Sequence, residues 1–197
     1  MSHLDDLLKT ANNLFLKKHF TDAISIYKKI IVLDPNNLNA INNMGYALSK
    51  SKNYKEALSC YESGLMKNPK EKILLINKIS TLRKIKMFNS ALDNCDIILN
   101  ETPDELIVLY HKLRVLHMLK KYEESLEICD KILSIYPNNG DIHFDRACNL
   151  LLLNRNDSCL KSLNSAIKIS NKFKLKARND KLFKKLEKNQ IFIKLVK

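Results

Sequence analysis

Asparagine carries most of the binding chemistry in the first half of this chain. Asn12, Asn39, Asn42, Asn43 and Asn77 recur at helical-turn spacings and, for Asn43 and Asn77, at a separation of 34 residues. A carboxamide offers two N–H donors and an acceptor, a set that suits the alternating N–H and C=O of an extended peptide backbone. Further along, Ile76, Tyr110 and Phe144 form an apolar line beside His111 and Arg114. Aromatic rings next to a guanidinium either make an anchor for a partner's side chain, because such groups dominate interface energetics, or are partly buried between hairpins. His111 and Asp145 stand in register as an imidazole and a carboxylate, but no nucleophile or metal-ligand cluster accompanies them. The chain has no phosphate-binding loop, no HExxH and no nucleophile elbow. It is read as a non-enzyme without cofactor or metal. Cys60, Cys95, Cys129, Cys148 and Cys159 are an odd set with no CxxC pair, so neither a disulfide framework nor a zinc site is expected. Cys148 is the one cysteine expected on an open face.

The elements that hold these residues announce themselves by a period. The four prolines, Pro35, Pro69, Pro103 and Pro137, are spaced 34 residues apart. Phe20, Tyr54, Phe88 and Tyr122 keep the same interval, as do Ala23, Ala57 and Ala91, continued by Ser125 and Cys159. Leu14, Leu48, Leu82, Leu116 and Leu150 form a column without exception, and Tyr27, Tyr61, Cys95, Cys129 and Leu163 form another. Inside one period, Leu38, Ile41, Gly45 and Leu48 mark one helix face. After a polar break, Tyr54, Ala57, Leu58, Tyr61 and Leu65 mark a second. A proline disfavours helical geometry in the residue before it, so each one separates two helical pairs.

A 34-residue helix–turn–helix with a small residue and an aromatic in its second helix and a closing proline resembles the tetratricopeptide repeat. The resemblance covers residues 4–171 as five units, 4–37, 38–71, 72–105, 106–139 and 140–171, with 172–197 as a basic capping segment. It implies an all-α, right-handed solenoid of antiparallel helix pairs, with a concave face lined by the first helices. It also implies a scaffold that holds a peptide or protein segment. On that face the resemblance places Asn12, Asn39, Asn42, Asn43, Asn77, Tyr110, His111, Arg114, Phe144 and Asp145. Some relatives clamp a carboxylate with two asparagines and three basic residues. Asn12 and Asn43 match the asparagines, but Leu8, Ile73 and Asn77 fill the basic positions, so charge-assisted capture of a chain terminus is not expected. The small-residue column Ala11, Gly45, Ile79, Leu113, Ala147 swells in the third and fourth units, where the two helices are expected to be pushed apart. The fifth unit has Asn156 and Asn171 in place of the aromatic and the proline, as an outermost repeat tends to.

Charge is uneven. The net +13 is concentrated in residues 161–197, where twelve Lys or Arg face only Asp180 and Glu187. Such an end attracts acidic partners, and a nucleic-acid or ribosome binder acting through it is the alternative function. With five arginines among 34 basic residues, the bidentate forks that read bases are scarce. Array ends are also docking faces, which adds a second copy of the chain to the partner classes. No run approaches the roughly 18 apolar residues of a membrane span. MSHLDDLLKT carries aspartates where a signal peptide is basic, so a cytoplasmic location is expected.

Overall fold

The computed structural model describes residues 3–197, and among them every regular element is helical. Ten helices pair as five hairpins: α1 (His3–Leu16) with α2 (Phe20–Leu33), α3 (Leu38–Lys50) with α4 (Tyr54–Lys67), α5 (Lys72–Lys84) with α6 (Phe88–Glu101), α7 (Leu106–Met118) with α8 (Tyr122–Ile135), and α9 (Gly140–Leu152) with α10 (Asn156–Ile169). After them come α11 (Lys172–Asn179), a 3₁₀ helix over Lys181–Leu186, and α12 (Gln190–Val196). The fold is all-α, built from the helical hairpins of a solenoid. It divides into two compact units, one ending at His111 and one beginning at Lys112, with the boundary inside α7.

Two kinds of turn, each repeated every 34 residues, explain where the helices stop. Within each hairpin the first helix closes on a residue with positive φ: Lys18 (65°), Lys52 (67°), Lys86 (63°), Lys120 (61°) and Asn154 (59°). The next residue's N–H reaches back to the fixed leucine column, as in Asn53 to the Leu48 carbonyl at 2.8 Å and His19 to that of Leu14 at 2.9 Å. This six-to-one bond, with a second from the positive-φ residue itself, is the Schellman closure that satisfies orphan carbonyls at a helix end. Glycine usually fills that position, because a Cβ there is strained. Here lysine fills it four times.

Between hairpins the chain turns through Asp34-Pro35-Asn36-Asn37, with the Asn37 N–H bonded to the Asp34 carbonyl at 3.1 Å. Pro35 sits at the position whose φ a pyrrolidine ring presets. The same bond recurs from Glu71 to Asn68, Glu105 to Thr102 and Asn139 to Tyr136. Phe173 to Ser170 repeats it at 3.2 Å without a proline, since Asn171 fills that place.

In the first unit α1 to α6 pack in chain order, and first helices also touch first helices, α1 on α3 and α3 on α5. Ala11, Gly45 and Ile79 are all buried. A Cβ on Gly45 would lie 2.5 Å from Tyr61 Cε1, so glycine there is what admits the tyrosine. By register the large first-helix residues Ile79 and Leu113 stand opposite Cys95 and Cys129, and all four are at most 1% exposed. Volume added on one helix is removed from the other, so wedging the pair apart is not required to accommodate the swollen column.

The outward face of the first hairpin is polar by the same register. Positions that hold buried Ala40, Leu74, Val108 and Ile142 in later hairpins hold exposed Asp6 in the first, and the column of Ala47, Thr81, Val115 and Asn149 holds exposed Asn13. In the second unit the last hairpin is closed by the cap. Phe144 on α9 lies against Phe173 and Phe183 with ring centroids 5.7 and 5.5 Å apart, and Phe183 stacks on Phe192 at 5.9 Å. Burying each such ring contributes about 1.5–3 kcal/mol. The cap therefore completes the core with aromatic rings.

Candidate functional site

The asparagines of the first unit form a hydrogen-bonded relay across three first helices. The Tyr27 hydroxyl donates to Asn12 Oδ1 at 2.6 Å, and Asn43 Nδ2 donates to the same oxygen at 3.1 Å. Asn42 Nδ2 donates to Asn43 Oδ1 at 3.2 Å, and Asn77 Nδ2 donates to Asn42 Oδ1 at 2.8 Å. The four asparagines are half-buried on α1, α3 and α5, while Asn39 is exposed beside them. Burial pushes the Tyr27 phenol up to about 12, which keeps its proton in place for the bond to Asn12.

The relay orients every carboxamide and leaves part of each unused. Each asparagine side chain has two N–H donors. After the bonds above, both N–H groups of Asn12 and one each of Asn42, Asn43 and Asn77 have no partner among the described residues. Next to the relay, Asn36, Asn37, Asn39, Asn42 and Ile73 line a cleft of about 410 Å³. Ile73 is 57% exposed there. The face so built has carboxamide donors, an aliphatic ledge and one carboxylate, Glu71, with no cation in the cleft lining. Tyr27 was legible in the sequence only as a core position; its tie to Asn12 follows from the first hairpin alone pairing a tyrosine with asparagine at that depth.

The remaining candidates divide between the units. Tyr110 and His111 are half-buried on α7 at the end of the first unit. In the second unit Arg114 is exposed and Asp145 half-buried. Burial raises the Asp145 carboxyl above its ordinary range, against the pull of Lys176, Arg114 and His117. Phe144 does not belong to an open face. It is 2% exposed, sandwiched between cap rings with Lys176 Nζ 4.0 Å from its centroid, so no ligand can reach it. Helical spacing alone could not separate a residue facing outward from one facing the next helix in the stack.

The second unit also holds a polar network that the sequence did not announce. His117 Nδ1 lies 2.6 Å from Asn149 Oδ1, Asn149 Nδ2 donates to Ser125 Oγ at 2.7 Å, and Asn149 is 1% exposed. Its chemistry is structural, since each buried polar atom in it is paired. Cys148, expected on an open face, is half-buried with its thiol pushed up by burial, and burial holds Cys60 at about 11 and Cys159 at about 12. Thiols so protonated are poor nucleophiles. Among the described residues no group of three or more His, Cys, Asp or Glu side chains is placed to hold a metal ion, and no helix is long and apolar enough to cross a membrane.

Comparison with known proteins bears on the fold. A tetratricopeptide-repeat family model matches residues 26–59. No curated protein matches the chain. Among solved structures, MamA (residues 41 to end) from Desulfovibrio magneticus RS-1 is 16% identical with a TM-score of 0.79, covering 87% of this chain and 98% of that one. YrrB, described as a TPR protein with an unusual peptide-binding site, is 18% identical with a TM-score of 0.73, covering 92% and 90%. A tetratricopeptide repeat protein from Parabacteroides merdae ATCC 43184 is 16% identical with a TM-score of 0.71, covering 98% and 82%. Residues 26–59 thus match a tetratricopeptide repeat, and the 34-residue turns and columns carry that unit along the chain in the fold these solved structures share.

Proposed function

We propose that the protein is a non-catalytic, cytoplasmic scaffold that holds an extended peptide segment of another protein along the first helices of its first unit. The observation that carries this reading is the asparagine relay with N–H groups to spare. Those donors suit peptide carbonyls, and the ledge at Ile73 suits an aliphatic side chain. The absence of cations in the cleft lining favours an uncharged stretch over an acidic chain terminus. YrrB, with its peptide-binding site, supports the reading by likeness of fold.

The test is selection from a displayed random-peptide library, followed by titration of the selected peptides against Asn43→Ala/Asn77→Ala. Two lost hydrogen bonds at about 1 kcal/mol each weaken binding about thirtyfold. Because Asn43 makes two relay bonds and Asn77 one, the variant also loses about 2–4 kcal/mol of stability, and titration is run well below its melting temperature. Failure to select any peptide, or equal affinity for both proteins, refutes the reading.

A further inference from the structure

We infer that the C-terminal cap is a docking surface for the anionic face of a lipid bilayer. Several hairpin cations are paired with acids: Lys72 with Glu105 at 2.7 Å, Arg146 with Asp130 at 2.7 Å, and Arg155 with both oxygens of Glu123 at 2.6 and 3.0 Å. Most of those in the cap are not. Lys174, Lys181, Lys184, Lys185, Lys188, Lys194 and Lys197 have no acidic partner among the described residues, and all but Lys174 are exposed. Uncompensated like charges disfavour the compact state, and a surface of opposite sign relieves that repulsion.

The chemistry around those lysines separates the anionic partners. Single-stranded RNA is gripped by exposed rings on which bases stack. The aromatic residues of the cap, Phe173, Phe183 and Phe192, are at most 6% exposed. The guanidinium is the fork best suited to bidentate base reading, and Arg178 instead donates to the carbonyls of Val196 and Lys197. Protein interfaces are poor in lysine. A layer of lipid phosphates and carboxylates asks only for mobile point charges, and lysine supplies them.

A second observation points to lipid. On α11 the buried residues are Phe173 and Ala177. At 3.6 residues per turn Leu175 then occupies the line diametrically opposite them, with Lys174 to one side. Lys172 is held by Asp141, Lys176 over the Phe144 ring and Arg178 by the Val196 and Lys197 carbonyls. Leu175 is 60% exposed, and Ile191 on α12 is 57% exposed beside Lys194 and Gln190. An exposed aliphatic side chain on a surface of unpaired lysines is how a peripheral helix meets headgroups, its apolar tip entering the acyl boundary while the lysines stay with the phosphates.

The inference is independent of the peptide reading of the first unit, and its test uses the whole chain. Sedimentation with phosphatidylcholine vesicles containing about 30% phosphatidylserine is compared with pure phosphatidylcholine vesicles and with immobilised poly(U). The expected result is retention on the anionic vesicles alone, falling steeply as salt shortens the screening length. Lys184→Gln/Lys185→Gln should lower partitioning about 25-fold, at roughly fivefold per lysine. Leu175→Ser, with the charge unchanged, should lower it severalfold. All three positions are exposed, so circular dichroism should show the fold intact. Equal binding to neutral vesicles, no binding to anionic ones, or indifference to either variant overturns the proposal. Retention on poly(U) without retention on vesicles assigns the surface to RNA and overturns it as well.

Discussion

Replacing Lys52 by glycine should stabilise the protein, although it removes a side chain and adds none. Lys52 holds φ at 67° where α3 ends, and a Cβ in that region costs about 1–2 kcal/mol. Glycine relieves the strain but loosens the unfolded chain, which takes back about 0.5–1 kcal/mol. The balance is a gain of about 0.5–1 kcal/mol, or about 1–4 °C in melting temperature for a chain of this size. Lys52 is exposed, so little packing is lost. Lys52→Ala is the control, because it removes the same charge and keeps the Cβ. Thermal and urea denaturation of both variants decide the matter. If Lys52→Gly is no more stable than Lys52→Ala, the claim that strained lysines close these hairpins is wrong. The equivalent changes at Lys18, Lys86 and Lys120 lie on separate hairpins. Combined with Lys52→Gly they should sum to about 2–4 kcal/mol.

Two further outcomes follow from packing and charge. Gly45→Ile should cost about 1–3 kcal/mol by driving into Tyr61, while Gly45→Ile/Tyr61→Cys, which copies the third hairpin, should recover most of that loss. Urea denaturation of the full double-mutant cycle tests it, and additive losses would contradict the exchange of volume between facing helices. For Asp145 the folded pKa lies above the unfolded one because burial disfavours the charged form. The stability it permits is therefore complete below the unfolded value of about 3.9 and is lost as pH rises through the folded value. Asp145→Asn should be more stable than the parent at pH 7 and gain nothing at about pH 3. An equal gain at both pH values would refute the assignment.

Much of the architecture was legible because its signals are periodic. The prolines place the turns between hairpins, and the leucine column Leu14 to Leu150 lies where each first helix closes. What escaped the sequence depends on direction and on pairs. The positive-φ residues were hidden because lysine, unlike glycine, gives no sign of unusual backbone. The swollen column was visible, but its compensation at Cys95 and Cys129 needed the facing helix. Asn12, Asn42, Asn43 and Asn77 were found by spacing, yet their bonds to one another and to Tyr27 depend on side-chain direction. The same ambiguity put Phe144 on an open face when it faces the cap.

The central claim is that the unused carboxamide hydrogens of the relay meet a peptide backbone. Their side-chain N–H₂ resonances report on it directly in a ¹⁵N–¹H correlation spectrum, titrated with a selected peptide. The account predicts that the Asn42, Asn43 and Asn77 signals move to saturation along with the binding curve. If the peptide saturates the protein while those signals stay in place, it binds elsewhere and the account fails.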